Sequence, residues 1–184
     1  DCDYWDAAQY GDYMTATNNV DRPIQWDGNT SNSFANIDTY ISGTTTYILK
    51  AKFITEYQNY LILGNVELSN GNLYHEHIYY SNIGEGILSE GFRQDVNGDA
   101  GGARTLGDGD ISGGFGKKEG SLYIFKRKSI AKLWYVGLKI PFEQIEYLKG
   151  IGCTAPGSIG KDWEDNLYYY GTDKRIREIS SGSI

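Results

Sequence analysis

Short runs of alternating apolar and polar residues occupy most of the chain, and they come in pairs. In each pair, a Tyr-rich apolar run is followed by a second run rich in β-branched or aromatic residues. Alternation with a period of two is typical of a strand with one buried face. The pattern therefore predicts strands along nearly the whole chain. The four pairs are 11–17 with 22–28, 59–66 with 77–82, 120–126 with 129–137, and 165–171 with 175–179.

The pairs recur at intervals of roughly 45–60 residues, close to the spacing of about 40–50 residues between propeller blades. We therefore expect an all-β fold, a β-propeller or a propeller segment of about four antiparallel blades. The whole chain, 1–184, is predicted to be one propeller domain or part of a larger one. A Gly-rich inserted loop at 86–110 explains the longest interval, and we expect the chain to enter the first unit partway through. The blade-like units are placed near 5–28, 51–82, 110–137 and 151–179.

Three of the units have a further predicted strand upstream of their first run. These strands cover 51–57, 110–115 and 153–159. Gly113-Gly114 is expected where strands crowd together or bend. The segment 141–148 begins with Pro and has apolar residues at 142, 145 and 148, so either a short helical turn or a strand between two blades fits it.

Composition narrows the function classes. The chain has 16 Tyr and 24 Gly among 184 residues, which suits strands and tight turns. Its net charge of −7 argues against a general affinity for nucleic acid or anionic membranes. No apolar run approaches the roughly 18 residues of a membrane span, so no membrane partner is expected. Cys2 and Cys153 are expected to be free thiols in a reducing compartment; the alternative is one long-range disulfide in a secreted propeller.

Six segments of the chain carry recognisable motifs: RPIQWDG (22–28), YQNYLILG (57–64), IYYSNIGE (78–85), LYIFKRKSI (122–130), GIGCTAPGSI (150–159) and NLYYYGTD (166–173). In sequence and in order they resemble the β-propeller domains of bacteriophage tail nozzle, hub and adaptor proteins. Lys174 departs from the pattern, because the family tends to have glycine at that position of the turn.

The resemblance implies a structural component of the virion, located in the phage tail and made in the host cytoplasm. It implies no catalysis and no cofactor. The expected partners are other copies of the chain in a ring around the DNA channel, and portal, adaptor or other tail proteins. A passing contact with viral DNA is also implied. The alternative is a carbohydrate-binding or carbohydrate-active propeller of the lectin or glycoside hydrolase type, which predicts acidic and aromatic residues clustered at one mouth.

Two segments contain weak candidates for metal ligands. His75 and His77 lie on the same face of a predicted strand, as in some metal sites. They are the only histidines and two ligands are too few, so exposed histidines at the end of a strand are the favoured interpretation. Asp95, Asn97 and Asp99 begin like a calcium loop, yet the Gly and Glu that an EF-hand requires are missing, so a solvated loop is favoured. With both histidines in one tripeptide, no catalytic triad is predicted.

The remaining candidates are contact residues. Trp163 lies in a polar run that is expected to form the tip of a hairpin. Its large apolar side chain should therefore be exposed and available to a partner protein. Lys126, Arg127 and Lys128 concentrate positive charge, either as a patch for DNA or an acidic neighbour, or as the solvated side of a hairpin. Arg93 and Arg104 are interface candidates within the 86–110 loop.

Overall fold

The structure is a computed structural model that describes residues 4–96, 98–137 and 139–180. Sixteen strands and one 3-10 turn, η1, are assigned in this part of the chain, and no helix there is long or apolar enough to cross a bilayer. The elements are β1 Asp6–Tyr10, β2 Tyr13–Thr17, β3 Ile24–Trp26, β4 Ala35–Asn36, β5 Tyr40–Ser42, β6 Thr46–Tyr57, β7 Tyr60–Leu68, β8 Leu73–Tyr80, β9 Gly101–Arg104, β10 Ile111–Lys118, β11 Ser121–Lys126, β12 Ser129–Tyr135, β13 Phe142–Lys149, η1 Pro156–Ser158, β14 Gly160–Lys161, β15 Leu167–Tyr170 and β16 Ile176–Ile179.

The strands form four antiparallel sheets in which each strand pairs with its neighbours in sequence. Their orders are β1-β2-β3-β4, β5-β6-β7-β8-β9, β10-β11-β12-β13 and β14-β15-β16. Such up-and-down sheets are the blades of propeller folds. The predicted fold class, all-β with about four antiparallel blades, is confirmed. All eight paired runs contain a strand, and the upstream strands predicted at 51–57 and 110–115 lie in β6 and β10.

The chain divides into two compact units, which are described separately. The first contains the described residues up to Arg104 together with 139–141, and it holds the first two sheets. The second contains 105–137 and the described residues from Phe142 onward, and it holds the last two. Each unit buries its own apolar cluster, around Ile48, Leu61 and Phe92 in the first and around Phe125, Leu167 and Tyr169 in the second.

Tight turns fix the register of the long hairpins. Gln58 and Asn59 join β6 to β7 with φ values of 53° and 62°, and Tyr57 pairs with Tyr60. Positive φ at both central residues is the hairpin turn that matches strand twist. In β10, Gly114 has φ 103° at a shift in register, and a Cβ on Gly113 would come within 2.7 Å of Phe125 Cβ. The crowding and bending expected at Gly113-Gly114 are confirmed.

The structure corrects three local predictions about the strands and decides between the two alternatives for a fourth segment. The first unit is not entered partway, because β1 completes a four-stranded sheet. The 86–110 segment is not all loop, since β9 pairs with β8 inside it. No strand forms at 153–159, where Pro156 begins η1. The segment 141–148 forms a strand, β13 (Phe142–Lys149), and not a helical turn.

Cys153 is fully buried, with Sγ 3.5 Å from both Ala155 O and Ser158 Oγ. Cys2 lies outside the described residues, so the predicted state of the two thiols stays a prediction. Lys174 adopts φ 64°, in the left-handed region that favours glycine.

Asp6 gives a prediction about the dependence of stability on pH. Its Oδ2 accepts a hydrogen bond from Ile54 N at 2.9 Å, but burial raises the pKa of its carboxyl to about 6. Because the folded pKa exceeds the unfolded value of 3.8, the folded chain holds this proton more tightly. The contribution of Asp6 to stability is therefore complete below about pH 4 and is lost as pH rises through about 6.

Asp6→Asn should raise the free energy of unfolding near neutral pH by on the order of 1–3 kcal/mol, since the amide is neutral and can still accept from Ile54 N. At about pH 4 the effect should vanish, because Asp6 is then protonated in the folded chain. Urea denaturation at the two pH values measures both results, with the exposed turn residue Asp12→Asn as control. A difference that does not depend on pH would contradict the prediction.

Candidate interaction sites

Trp163 lies at the tip of the β14–β15 hairpin with 92% of its surface exposed. The backbone around it is held by Asp162. Asp162 Oδ1 accepts from the amides of Glu164 and Asn166, both at 2.9 Å, and Oδ2 accepts from Asn166 Nδ2 at 3.0 Å. Tyr168 also donates to Oδ2, at 3.3 Å. The hairpin thus presents a large apolar side chain on an ordered support.

Charge at the same tip is mostly negative. The hydrogen bond from the Asn166 side chain, followed by those from backbone amides, lowers the pKa of Asp162 below its usual value. Lys161 forms an ion pair with Asp165, which leaves Asp162 and Glu164 as the unbalanced charges of the segment 161–165. A partner surface that receives Trp163 is therefore expected to be apolar at its centre and neutral or basic at its rim.

The candidate arginines of the 86–110 segment are paired within the chain. Arg93 binds Asp95 through Nε (3.0 Å) and Nη2 (2.6 Å), and binds Glu90 through Nη1 at 2.7 Å. Arg104 Nε binds Glu76 at 2.6 Å and keeps 66% of its side chain exposed. Arg93 is thus mainly a clamp on its own loop, whereas Arg104 remains on the surface.

The basic run at 126–128 does not form a single patch. Lys126 is fully buried, so it is neither a surface contact nor part of the solvated side of a hairpin, contrary to both interpretations. Its Nζ donates to the backbone oxygens of Thr105 at 3.0 Å, Leu106 at 3.3 Å, and Gly107. Arg127 lies 3.6 Å from Asp110, and only Arg127 and Lys128 of the three are exposed.

The weak metal candidates are not brought together as a ligand set. Arg93 occupies both carboxylate oxygens of Asp95 and lowers its pKa to about 2. His75 Nδ1 lies 2.7 Å from Asn65 Oδ1, and the His77 ring packs against Tyr74 with centroids 4.8 Å apart. Asp99 is half-buried, and Asn97 lies outside the described residues. Within those residues, no group of three His, Cys, Asp or Glu side chains is arranged to hold a metal ion.

A cavity of about 320 Å³ lies in the first sheet, at the end of β3. Sequence patterns did not single it out, although Trp26 and Asp27 belong to the segment 22–28 that resembles tail proteins. Its lining residues include a carboxylate, two carboxamides and aromatic residues. The residues that line it are Tyr13, Gln25, Trp26, Asp27, Asn32, Ser33 and Ala35.

Of the segments that carry the tail-protein resemblance, 150–159 lies outside the strands and contains η1, and the others lie in the hairpins of the sheets. Segment 22–28 contains β3, 57–64 and 78–85 overlap β6 to β8, 122–130 spans the β11–β12 turn, and 166–173 contains β15. No protein-family model matches the chain, and the curated proteins contain no match to it.

Proposed function

We propose that this chain is a propeller-type domain of a phage tail nozzle, hub or adaptor, and that it acts by assembling with neighbouring subunits around the DNA channel rather than by catalysis. The six segments that resemble tail proteins, in the same order, support the family. The observation that carries the assembly role is Trp163, exposed by 92% on a hairpin fixed by Asp162. Tryptophan on an ordered support is the typical energetic centre of a protein interface.

The charge distribution favours protein partners over DNA as the main contact. The net charge is −7, and Arg93, Arg104 and Arg127 each have a carboxylate of the chain within 4 Å. Binding to DNA requires Lys or Arg side chains that neutralise backbone phosphates and thereby release the counterions condensed on the DNA. A passing contact with DNA would therefore depend on residues such as Lys128, and it would weaken steeply with salt.

Trp163→Ala gives the test of this function. The purified chain should form an oligomer of defined mass, and the variant should weaken the association by about tenfold or more, because truncating an interface tryptophan costs about 2 kcal/mol or more. Stability should change by less than about 0.5 kcal/mol, since the side chain is almost fully exposed. Sedimentation velocity and native mass spectrometry measure the association, and urea denaturation measures the stability.

Trp5→Ala is the matched control, because Trp5 is an exposed tryptophan elsewhere on the chain (54%). We expect it to leave the association constant unchanged. A wild-type chain that is monomeric at every concentration and retains no tail protein on copurification would overturn the proposed function. An oligomer that is indifferent to Trp163→Ala would keep the assembly role but remove Trp163 from the interface.

A further inference from the structure

The cavity at the end of β3 is supported by an ordered loop. Asp27 Oδ1 accepts from Asn29 N at 3.0 Å, and Oδ2 accepts from Asn32 Nδ2 at 2.7 Å. Trp26 Nε1 donates to the backbone oxygens of Asn29 and Asn32, at 3.0 and 3.1 Å. The loop 27–33 therefore holds the carboxylate and the indole in fixed positions. Such preorganisation lowers the cost of binding a ligand.

The polar groups of the cavity are dominated by acceptors. Hydrogen bonds from the Asn29 backbone and the Asn32 side chain lower the pKa of Asp27, so its carboxylate is ionised, and each oxygen retains acceptor capacity. Gln25 Oε1 is buried without a hydrogen-bond donor among the described residues. The last torsion of a glutamine side chain is broad, so the amide can turn toward the cavity at little cost.

The charges of the lining residues disfavour anionic ligands. None of the seven lining residues is Lys, Arg or His, so an anionic ligand would meet the Asp27 carboxylate without a compensating cation. Tyr13 supplies apolar ring surface next to the acceptors, because it lies two residues from Thr15 in β2, and Thr15 pairs with Gln25 on the same face of the sheet. A ligand that suits both features has several hydroxyl donors and an apolar C–H face. That combination describes a sugar ring.

We propose that this cavity binds a neutral saccharide, with hydroxyls donating to Asp27 and Gln25 and a ring face against Tyr13. The volume of about 320 Å³ is at the lower end of ligand cavities, about 300–1,000 Å³. It therefore suits one or two sugar units rather than a long chain. The site lies within the first sheet and does not depend on the assembly role or on Trp163.

Binding is tested with an array of neutral mono- and disaccharides, followed by saturation-transfer difference NMR and titration with the methyl glycosides that bind. Glucosamine, arginine methyl ester and glucuronate are included as cationic and anionic probes. We expect neutral sugars to bind with a Kd on the order of 1 mM, typical of a small and partly open site. Glucuronate should bind at least tenfold more weakly than its neutral counterpart.

Two variants on β4 provide a matched pair. Ala35 lies opposite Gln25 in the sheet and lines the cavity, so Ala35→Trp should fill the cavity and abolish saccharide binding. Asn36 is the next residue and points to the other face, so Asn36→Trp should leave the Kd unchanged. Both positions are exposed, and both variants are expected to fold.

Gln25→Leu tests whether Gln25 binds the saccharide or only supports the fold. Removing a buried acceptor that has no donor should leave the thermal midpoint unchanged or raise it. The same change should weaken saccharide binding by about fivefold or more, because a hydrogen bond to the ligand is lost. Three results would overturn the proposal: no neutral saccharide binds at millimolar concentration, only the cationic probes bind, or Ala35→Trp and Asn36→Trp bind equally well.

Discussion

Lys126→Met should lower the free energy of unfolding by about 3–5 kcal/mol. The Lys126 ammonium group donates to the carbonyl oxygens of Thr105, Leu106 and Gly107, and its side chain is completely buried. Methionine preserves the length and apolar character of the stem but removes every donor. The bond to Thr105 O is buried and those to Leu106 O and Gly107 O are partly buried. A carbonyl left without a donor in a buried position costs about 1–3 kcal/mol, and a partly buried one costs less.

Lys128→Met is the control, because Lys128 is exposed on the same β11–β12 turn. It should change stability by less than about 0.5 kcal/mol. Urea denaturation of both variants, followed by tryptophan fluorescence, measures the difference between them. If Lys126→Met costs no more than Lys128→Met, water satisfies the three carbonyls and the ammonium group is not required for the loop 105–107.

The strands were predictable where alternation and turn chemistry agree. Tyr57-Gln58-Asn59-Tyr60 has a turn-forming pair between two apolar runs, and it forms the β6–β7 hairpin with the register expected for a two-residue turn. The Trp163 tip was predicted for a similar reason. Its polar neighbours cannot pair in a sheet core, and Asp162 folds them into a turn.

Other elements depend on tertiary contacts that the sequence does not show. Gly101 and Gly102 have low strand propensity, yet they begin β9, and a Cβ on either residue would lie within 3 Å of the Tyr80 or Tyr79 ring. Glycine is therefore required there because aromatic rings cover the strand. At 153–159, the apolar spacing suggested a strand, but η1 begins at Pro156 and ends the extended conformation.

The position of Lys126 was mispredicted because β11 is buried on both faces. All six residues of Ser121–Lys126 are buried, so alternation no longer separates a solvent side from a core side. A strand that is buried on both faces can place even a lysine in the protein interior, provided that carbonyl oxygens accept hydrogen bonds from its ammonium group. The cavity at the end of β3 was missed for a different reason, since its lining depends on the fold of the loop 27–33.

Gly152→Ala should destabilise the chain by about 3 kcal/mol or more, the upper end of the range for overpacking. A Cβ at this position would lie 2.0 Å from Lys126 O and 2.7 Å from Arg127 O, which are backbone atoms that cannot rotate away. Movement in the other direction is also restricted, because Gly152 exchanges hydrogen bonds with Thr172 at 2.9 and 3.1 Å. The added methyl group must therefore separate the two segments and break the neighbouring bond from Cys153 N to Lys126 O, which is 2.8 Å long.

Gly157→Ala is the matched control for this steric argument. Gly157 is exposed in η1, a Cβ there would meet nothing within 4 Å, and the change should alter stability by less than about 1 kcal/mol, in the stabilising direction. Urea denaturation compares the two variants, and hydrogen exchange at the Cys153 amide reports the bond to Lys126 directly. Faster exchange of that amide in Gly152→Ala, together with the loss of stability, is the expected result. Equal midpoints for the two alanine variants would show that the 126–127 backbone yields to the methyl group, and the close approach would then not be what requires glycine at 152.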